Sequence, residues 1–224
     1  MLIPERHESR ALSRFLIALV TLIVANILVF LAELSLGDSF VTGYSMKPAE
    51  IVHGVHLETL FTSMFLHANI LHIAGNMLYL WVFGDELEAN YLGSTRFVVF
   101  YLVCGLAAST LQIAVNPAST VPNLGASGAI AGVLGAFLVE FPRDRILVAV
   151  LVPFWIGQRR LSAMVLIGIW FAIQLIGGVG SITAVGQGGV AYFAHIGGFI
   201  AGVLLIKLFG AGRRRMGDWG AVRG

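Results

Sequence analysis

Two residue types that together can open an acyl bond stand at glycine-flanked starts of apolar segments. Ser127 lies in Gly125-Ala126-Ser127-Gly128, and His195 in Ala194-His195-Ile196-Gly197-Gly198. A serine hydroxyl is a weak nucleophile until a neighbouring base takes its proton, and histidine is the usual base. His72 and Asn76 are four residues apart, which puts them on one helical face about one turn apart. The Asn76 amide, a His72 N–H and the Ser127 backbone N–H are donors suited to a developing oxyanion. Taken alone, Asn76 fits an interhelical hydrogen bond equally well.

The segments that carry these residues are apolar. The chain has 224 residues, 58% of them hydrophobic and 12% charged, where a soluble domain would be about a quarter charged. Mean hydropathy is +0.88. The apolar residues fall in long runs, which predicts an all-α polytopic membrane protein. Six spans are expected, at Phe15–Leu36, Ile70–Phe83, Phe97–Val115, Ser127–Phe141, Leu161–Ile176 and Val190–Phe209. The second and fourth are short for a bilayer core of about 30 Å and should extend into flanking sequence. Ile146–Ile156 is apolar too, but Pro153 and the following Gly157-Gln158-Arg159-Arg160 predict an interfacial segment. Residues 1–14 read as a cytoplasmic N-terminal segment, 15–209 as the membrane domain and 210–224 as a basic cytoplasmic tail.

Six spans put the N-terminus, the second and fourth loops and the C-terminus on one side. All of the 14 basic residues except Lys47 fall there, so both termini are expected in the cytoplasm. Arg213-Arg214-Arg215 reads as an anchor at anionic lipid, not as a nucleic-acid site. The single Cys104 lies in an apolar run and reads as a packing residue. With this orientation Ser127, His195, His72 and Asn76 gather toward the outer ends of three parallel spans.

Helix contact is what would let Ser127 and His195 meet. Gly128, Gly132 and Ala136 recur every four residues, as do Ala194, Gly198 and Gly202. Such stripes let membrane helices approach closely. Taken alone, the stripes read as helix packing and nothing more, with Ser127 bonded to a backbone carbonyl; His195 and the His72/Asn76 pair favour the chemical reading. No conventional third member is visible. Glu140 falls at the inner end of its span, and Glu33 is expected to mark the interface, so a Ser–His dyad is favoured over a triad.

Together these residues resemble the rhomboid family of intramembrane serine proteases. The resemblance rests on Gly125-Ala126-Ser127-Gly128, on Ala194-His195-xx-Gly198-xxx-Gly202, on His72-xxx-Asn76 with His67 before it, and on the stretch from Thr62 through Gly84. It implies a six-transmembrane-helix bundle with Ser127 as nucleophile and His195 as general base and acid. His72, Asn76 and the Ser127 N–H would form the oxyanion site. It implies substrates that are themselves membrane helices, a water-filled cavity open to the outer face, and a structural role for Glu88. Ala131 departs from members that carry a large aromatic one turn after the serine, so another group, a Phe or Tyr, is expected to orient His195. The first loop, about Gly37–Phe61, lacks the Trp-Arg pair of many members.

Other signals are weaker. His53 and His56, with Glu58, lack a His-Glu-x-x-His pattern and predict no metal site; no cofactor is expected. His67 is expected to make a structural hydrogen bond. Gly177–Gly189 reads as a mobile outer loop beside His195, and the four tryptophans as packing or interfacial anchors. A prokaryotic plasma membrane is the expected location. The alternative is a catalytically silent rhomboid-like protein that binds transmembrane helices. Nothing in the sequence addresses self-association.

Overall fold

A computed structural model describes residues 2–4, 16–152, 155–183 and 191–210. The chain is mainly helical. Helix α1 (Ile17–Leu36) runs uninterrupted through an apolar stretch and stops at Gly37, whose φ of 75° lies in the left-handed region. Three short helices follow, α2 (Asp38–Tyr44), α3 (Pro48–Val52) and α4 (Thr59–Thr62), with a 3-10 turn at Ser63–Phe65. Helix α5 (Ile70–Leu87) starts at Asn69, whose side chain accepts the His72 N–H at 2.9 Å. A π-helical turn, Glu88–Leu92, leads through Gly93 into α6 (Ser94–Val115). Helices α7 (Ser127–Glu140), α8 (Ala163–Thr183) and α9 (Tyr192–Gly210) complete the bundle.

By length and composition, α1, α6 and α9 can each cross a membrane; α7 and Ala163–Gly178 of α8 are apolar but shorter. The bundle turns large apolar side chains outward. Leu28 and Leu34 of α1, Ile176 of α8, and Leu204 and Leu208 of α9 are at least 60% exposed. Asn26, Glu33, Asn76 and Gln174 are buried instead. Such a distribution suits lipid as the surrounding solvent.

Helix α7 sits at the centre, buried along nearly its whole length. A helix apolar all round has no solvent face to present. Its two small-residue flanks meet different neighbours. A Cβ on Gly132 would collide with Cys104 of α6, and one on Gly128 would lie 2.7 Å from the Ala108 Cβ. On the other flank, a Cβ on Gly198 of α9 would strike the Gly128 carbonyl, and one on Gly202 the Gly132 carbonyl. The two stripes therefore face each other, except that Gly135, and not Ala136, lies against α9 at Phe199. Cys104 is fully buried in this contact, a packing residue as expected.

Distant carboxylates finish the helix ends. Glu88 accepts the N–H groups of Ala18 (2.9 Å) and Leu19 (2.7 Å) and the Ser94 hydroxyl (2.6 Å). It thereby caps the start of α1, whose own Leu16 offers no side-chain acceptor. At the same end of the bundle Lys207 of α9 pairs with Glu140 of α7 at 2.6 Å, and Arg96 donates to the Phe209 carbonyl. Glu140 thus lies a full helix away from Ser127.

Three expectations need correction. The fold is not purely helical: β2 (Arg145–Val152) and β3 (Trp155–Ser162) form an antiparallel hairpin, with Leu147 opposite Arg160, and β1 (Leu2–Pro4) adds to β2. Ile146, Val148, Val150 and Val152 are β-branched at alternate positions and favour extended chain, and a proline at 153 disfavours a continuous helix. The fifth apolar segment accordingly begins at Ala163, since Leu161 and Ser162 close the hairpin. Second, Gly177 and Gly178 belong to α8 and lie against Tyr192, giving close helix contact instead of a loop. The remainder of that expected loop, residues 184–190, lies outside the described residues, as do 5–15 and 211–224. Third, Glu33 is buried and bonded to the His67 backbone instead of marking an interface.

The glycine contact is directly testable. Gly198→Ala forces the α7 and α9 backbones apart and should destabilise the protein by about 1–3 kcal/mol or more, the range for overpacking. Gly168→Ala on α8 meets nothing within 4 Å and should leave stability unchanged. Thermal unfolding in detergent distinguishes the two; equal behaviour would dissolve the role given to the stripe.

Candidate active site

Ser127 is the first residue of α7, preceded by a loop that only glycine can complete. Gly125 has φ 125°, and a Cβ there would lie 2.9 Å from His72 Cε1. Its N–H donates to the Ser63 carbonyl at 2.8 Å, tying this loop to the 3-10 turn before α5. The first-turn N–H groups of α7, including that of Ser127, have no carbonyl partner within their own helix.

His195 lies in the first turn of α9. The Ala194 N–H beside it donates to Gln112 Oε1 of α6 at 3.3 Å. With the glycine contacts fixing the α7–α9 distance, His195 Nε2 lies 2.7 Å from Ser127 Oγ. Both residues are only partly buried.

Two more residues of the expected set come from α5. His72 Nδ1 accepts the Ala68 N–H at 3.4 Å, which leaves the ring proton on Nε2. The His72 ring edge approaches the Gly125 Cα, and the position of a Cβ there is 3.5 Å from Ser127 Oγ. Asn76, one turn along the same face, is buried, and its Nδ2 has no hydrogen-bond partner. A buried unpaired donor is rare and calls for an explanation.

His67 lies behind His72, with ring centroids 5.2 Å apart in an edge-to-face arrangement. It makes the expected structural bond, from Nδ1 to the Phe65 carbonyl at 3.2 Å, and its backbone N–H donates to the Glu33 carboxylate. His53 and His56 are occupied locally, by the Ala49 carbonyl and by Glu58.

The group that contacts His195 from the other side was not expected. Gln174 Oε1 of α8 is 2.8 Å from His195 Nδ1, and the Trp170 ring lies 5.8 Å from the imidazole. The aromatic neighbour is thus a tryptophan of α8, not a Phe or Tyr. An amide in the middle of Ile173-Gln174-Leu175 was the available signal, since a polar residue inside an apolar span needs a partner.

The chain belongs to the rhomboid family: residues 55–212, more than half of its length, match the Rhomboid domain. It is 34% identical over 177 residues to RHOMBOID-like protein 1 of Arabidopsis thaliana, covering 78% of this chain and 41% of that one. Rhomboid protein 1, mitochondrial, of Saccharomyces cerevisiae is 35% identical over 148 residues, 63% of this chain and 39% of the yeast protein. Rhomboid protease GluP of Bacillus subtilis is 44% identical over a shorter stretch of 79 residues, 35% of this chain and 15% of that protein. The chain thus spans less than half the length of these relatives.

Burial, and next to it the nearby His72, push the His67 imidazole down to about 4, against a smaller upward pull from its Phe65 bond. Between an ordinary 6.5 and about 4 the unfolded chain binds a proton that the folded protein refuses. The stability this group contributes is therefore complete above about 6.5 and is lost as pH falls toward 4. The unfolding temperature should fall across that window, and less steeply in His67→Gln. Equal slopes in the two proteins would assign the acid sensitivity elsewhere.

Proposed function

We propose that this protein is an intramembrane serine endopeptidase, working through Ser127 and His195 on transmembrane segments of other membrane proteins. The observation that carries the reading is the 2.7 Å contact between His195 Nε2 and Ser127 Oγ. A hydroxyl at that distance from an imidazole nitrogen can pass on its proton as its oxygen attacks a carbonyl. Attack forms the Oγ–C bond and moves the carbonyl electron pair onto oxygen. The Ser127 N–H, the unpaired Asn76 amide and His72 Nε2–H are the donors proposed to hold that oxyanion. Collapse breaks the C–N bond, and His195 gives its proton to the leaving amine. Water then attacks the acyl ester with His195 again as base, the C–Oγ bond breaks as His195 returns that proton to Ser127, and the second product leaves as a carboxylic acid that ionises in water.

The reading includes a bundle that crosses the bilayer six times, through α1, α5, α6, α7, α8 and α9. The shorter helices stay within the membrane because α7 is enclosed by its neighbours. Both termini are proposed to be cytoplasmic, with residues 1–14 and 210–224 flanking a 15–209 core and the site toward the outer face. That placement agrees with the basic residues, since Arg96 and Lys207 lie at the end of the bundle opposite Ser127. A plasma membrane is proposed as the host from the sequence alone; the relatives include a mitochondrial and a bacterial protein and do not choose between membranes. A helical substrate hides its carbonyls in its own hydrogen bonds, so cleavage should favour segments weakened by Gly or Pro.

A fluorescent fluorophosphonate and a model transmembrane substrate test this in detergent or liposomes. Wild type should be labelled and should cleave, and Ser127→Ala and His195→Ala should each lose both activities. A well-folded wild type that neither labels nor cleaves, yet binds the substrate helix, would replace the protease with a silent binder. Asn76→Ala should lower kcat by about 10²- to 10³-fold, the loss typical of one oxyanion donor, with KM little changed. Unaltered kcat would remove Asn76 from the oxyanion site.

A further inference from the structure

The contact between α8 and His195 does more than fill space. Gln174 is buried, and both ends of its amide are engaged. Its Nε2 donates to the Trp170 carbonyl, one turn earlier in the same helix, at 3.2 Å. Its Oε1 faces His195 Nδ1 at 2.8 Å. A backbone carbonyl can only accept, so the NH2 end of the amide must point toward Trp170. Turning the amide over would set two acceptor oxygens against each other and leave a buried NH2 facing the ring. The carbonyl of Trp170 therefore fixes which atom meets the imidazole.

We infer that Gln174 is a positioning residue that sets the tautomer and orientation of His195, keeping Nε2 bare and aimed at the Ser127 hydroxyl. An acceptor at Nδ1 requires the ring hydrogen to be there, and a neutral imidazole carries one such hydrogen. The hydrogen bonds then run in one direction: Ser127 O–H to Nε2, Nδ1–H to Oε1, and the Gln174 NH2 to the Trp170 carbonyl. Run backwards, the chain ends with two oxygens in contact at Trp170. An unanchored amide in this position could rotate and donate to the ring, selecting the tautomer that cannot act as base. Here the helix itself prevents the rotation.

Trp170 adds a second restraint from the same helix. Its ring is tilted 39° against the imidazole and also rests near Phe199, which stacks on Phe171 at 4.2 Å. Residues four apart on α8 thus hold the imidazole by its Nδ1 edge and along its side. A neutral amide suits this place, because an unpaired carboxylate would be costly in an apolar interior.

This inference rests on the protease reading for its effect on rate, but not for the tautomer itself. Histidine labelled with 15N in detergent-solubilised full chain, with His195→Gln to assign the resonance, reports the protonated nitrogen directly. In wild type Nδ1 should carry the hydrogen and Nε2 should be bare; in Gln174→Leu the two forms should mix. Gln174→Leu should also lower kcat by roughly 10- to 100-fold at unchanged KM. Gln174→Met, which keeps the length of the side chain but not its acceptor oxygen, should lose as much activity as the leucine variant. A wild-type ring protonated at Nε2, or a folded Gln174→Leu with unchanged kcat and resonances, would overturn the assignment. If the leucine variant does not fold, the wild-type tautomer and the methionine variant still decide. A wild type that neither labels nor cleaves would sink the protease reading, while the imidazole resonances would still judge Gln174.

Discussion

Helices α7 and α9 meet carbonyl to glycine, at Gly128 against Gly198 and again at Gly132 against Gly202, and the rest of the bundle is arranged around that approach. Lipid supplies little hydrophobic drive between membrane helices, so close packing of backbones must supply the attraction. Ser127 lies one residue before the first contact on α7, and His195 three residues before its counterpart on α9. Their separation is therefore a property of two helix surfaces and not of two flexible side chains. Helix α6 supports the arrangement from behind, where Cys104 and Ala108 fill the space left by the glycines of α7.

Around this contact the buried polar groups fall into two kinds. Glu33 and Glu88 each accept backbone N–H groups from segments far along the chain, and so join loops and helix starts. Gln174 likewise uses both ends of its amide. The Asn76 amide has a buried donor with no partner. His67 Nε2 is likewise buried without a partner, and Asn76 is set apart by lying one turn from His72 on the same face of α5.

Much of this could be read from the sequence where the signal was local. Glycines at four-residue spacing marked both faces of the α7–α9 contact, and Ser127 and His195 stood out as polar residues at the mouths of apolar runs. Features that depend on distant partners were not legible. Gln174 is 21 residues from His195, and a lone amide in an apolar segment names no partner. Glu33 read as an interface marker because the His67 backbone it holds is 34 residues away. The β2–β3 hairpin was missed for another reason: its apolar run was too short to settle helix against strand by hydropathy alone. The alternating β-branched residues carried the answer, and Pro153 argued only for an interfacial segment over a further span.

Glu88 reaches across 70 residues to close the start of α1, and this bears on the order in which the molecule can be assembled. A chain made from its N-terminus produces α1 well before the corner that contains Glu88 exists. Until then the leading amides of α1 must borrow water or lipid head groups as acceptors, because hydrocarbon offers none. Helix α1 is consequently capped only after α5 has been made. The cap arrives with the junction between α5 and α6, so α1 can be latched to that corner before α7, α8 and α9 exist.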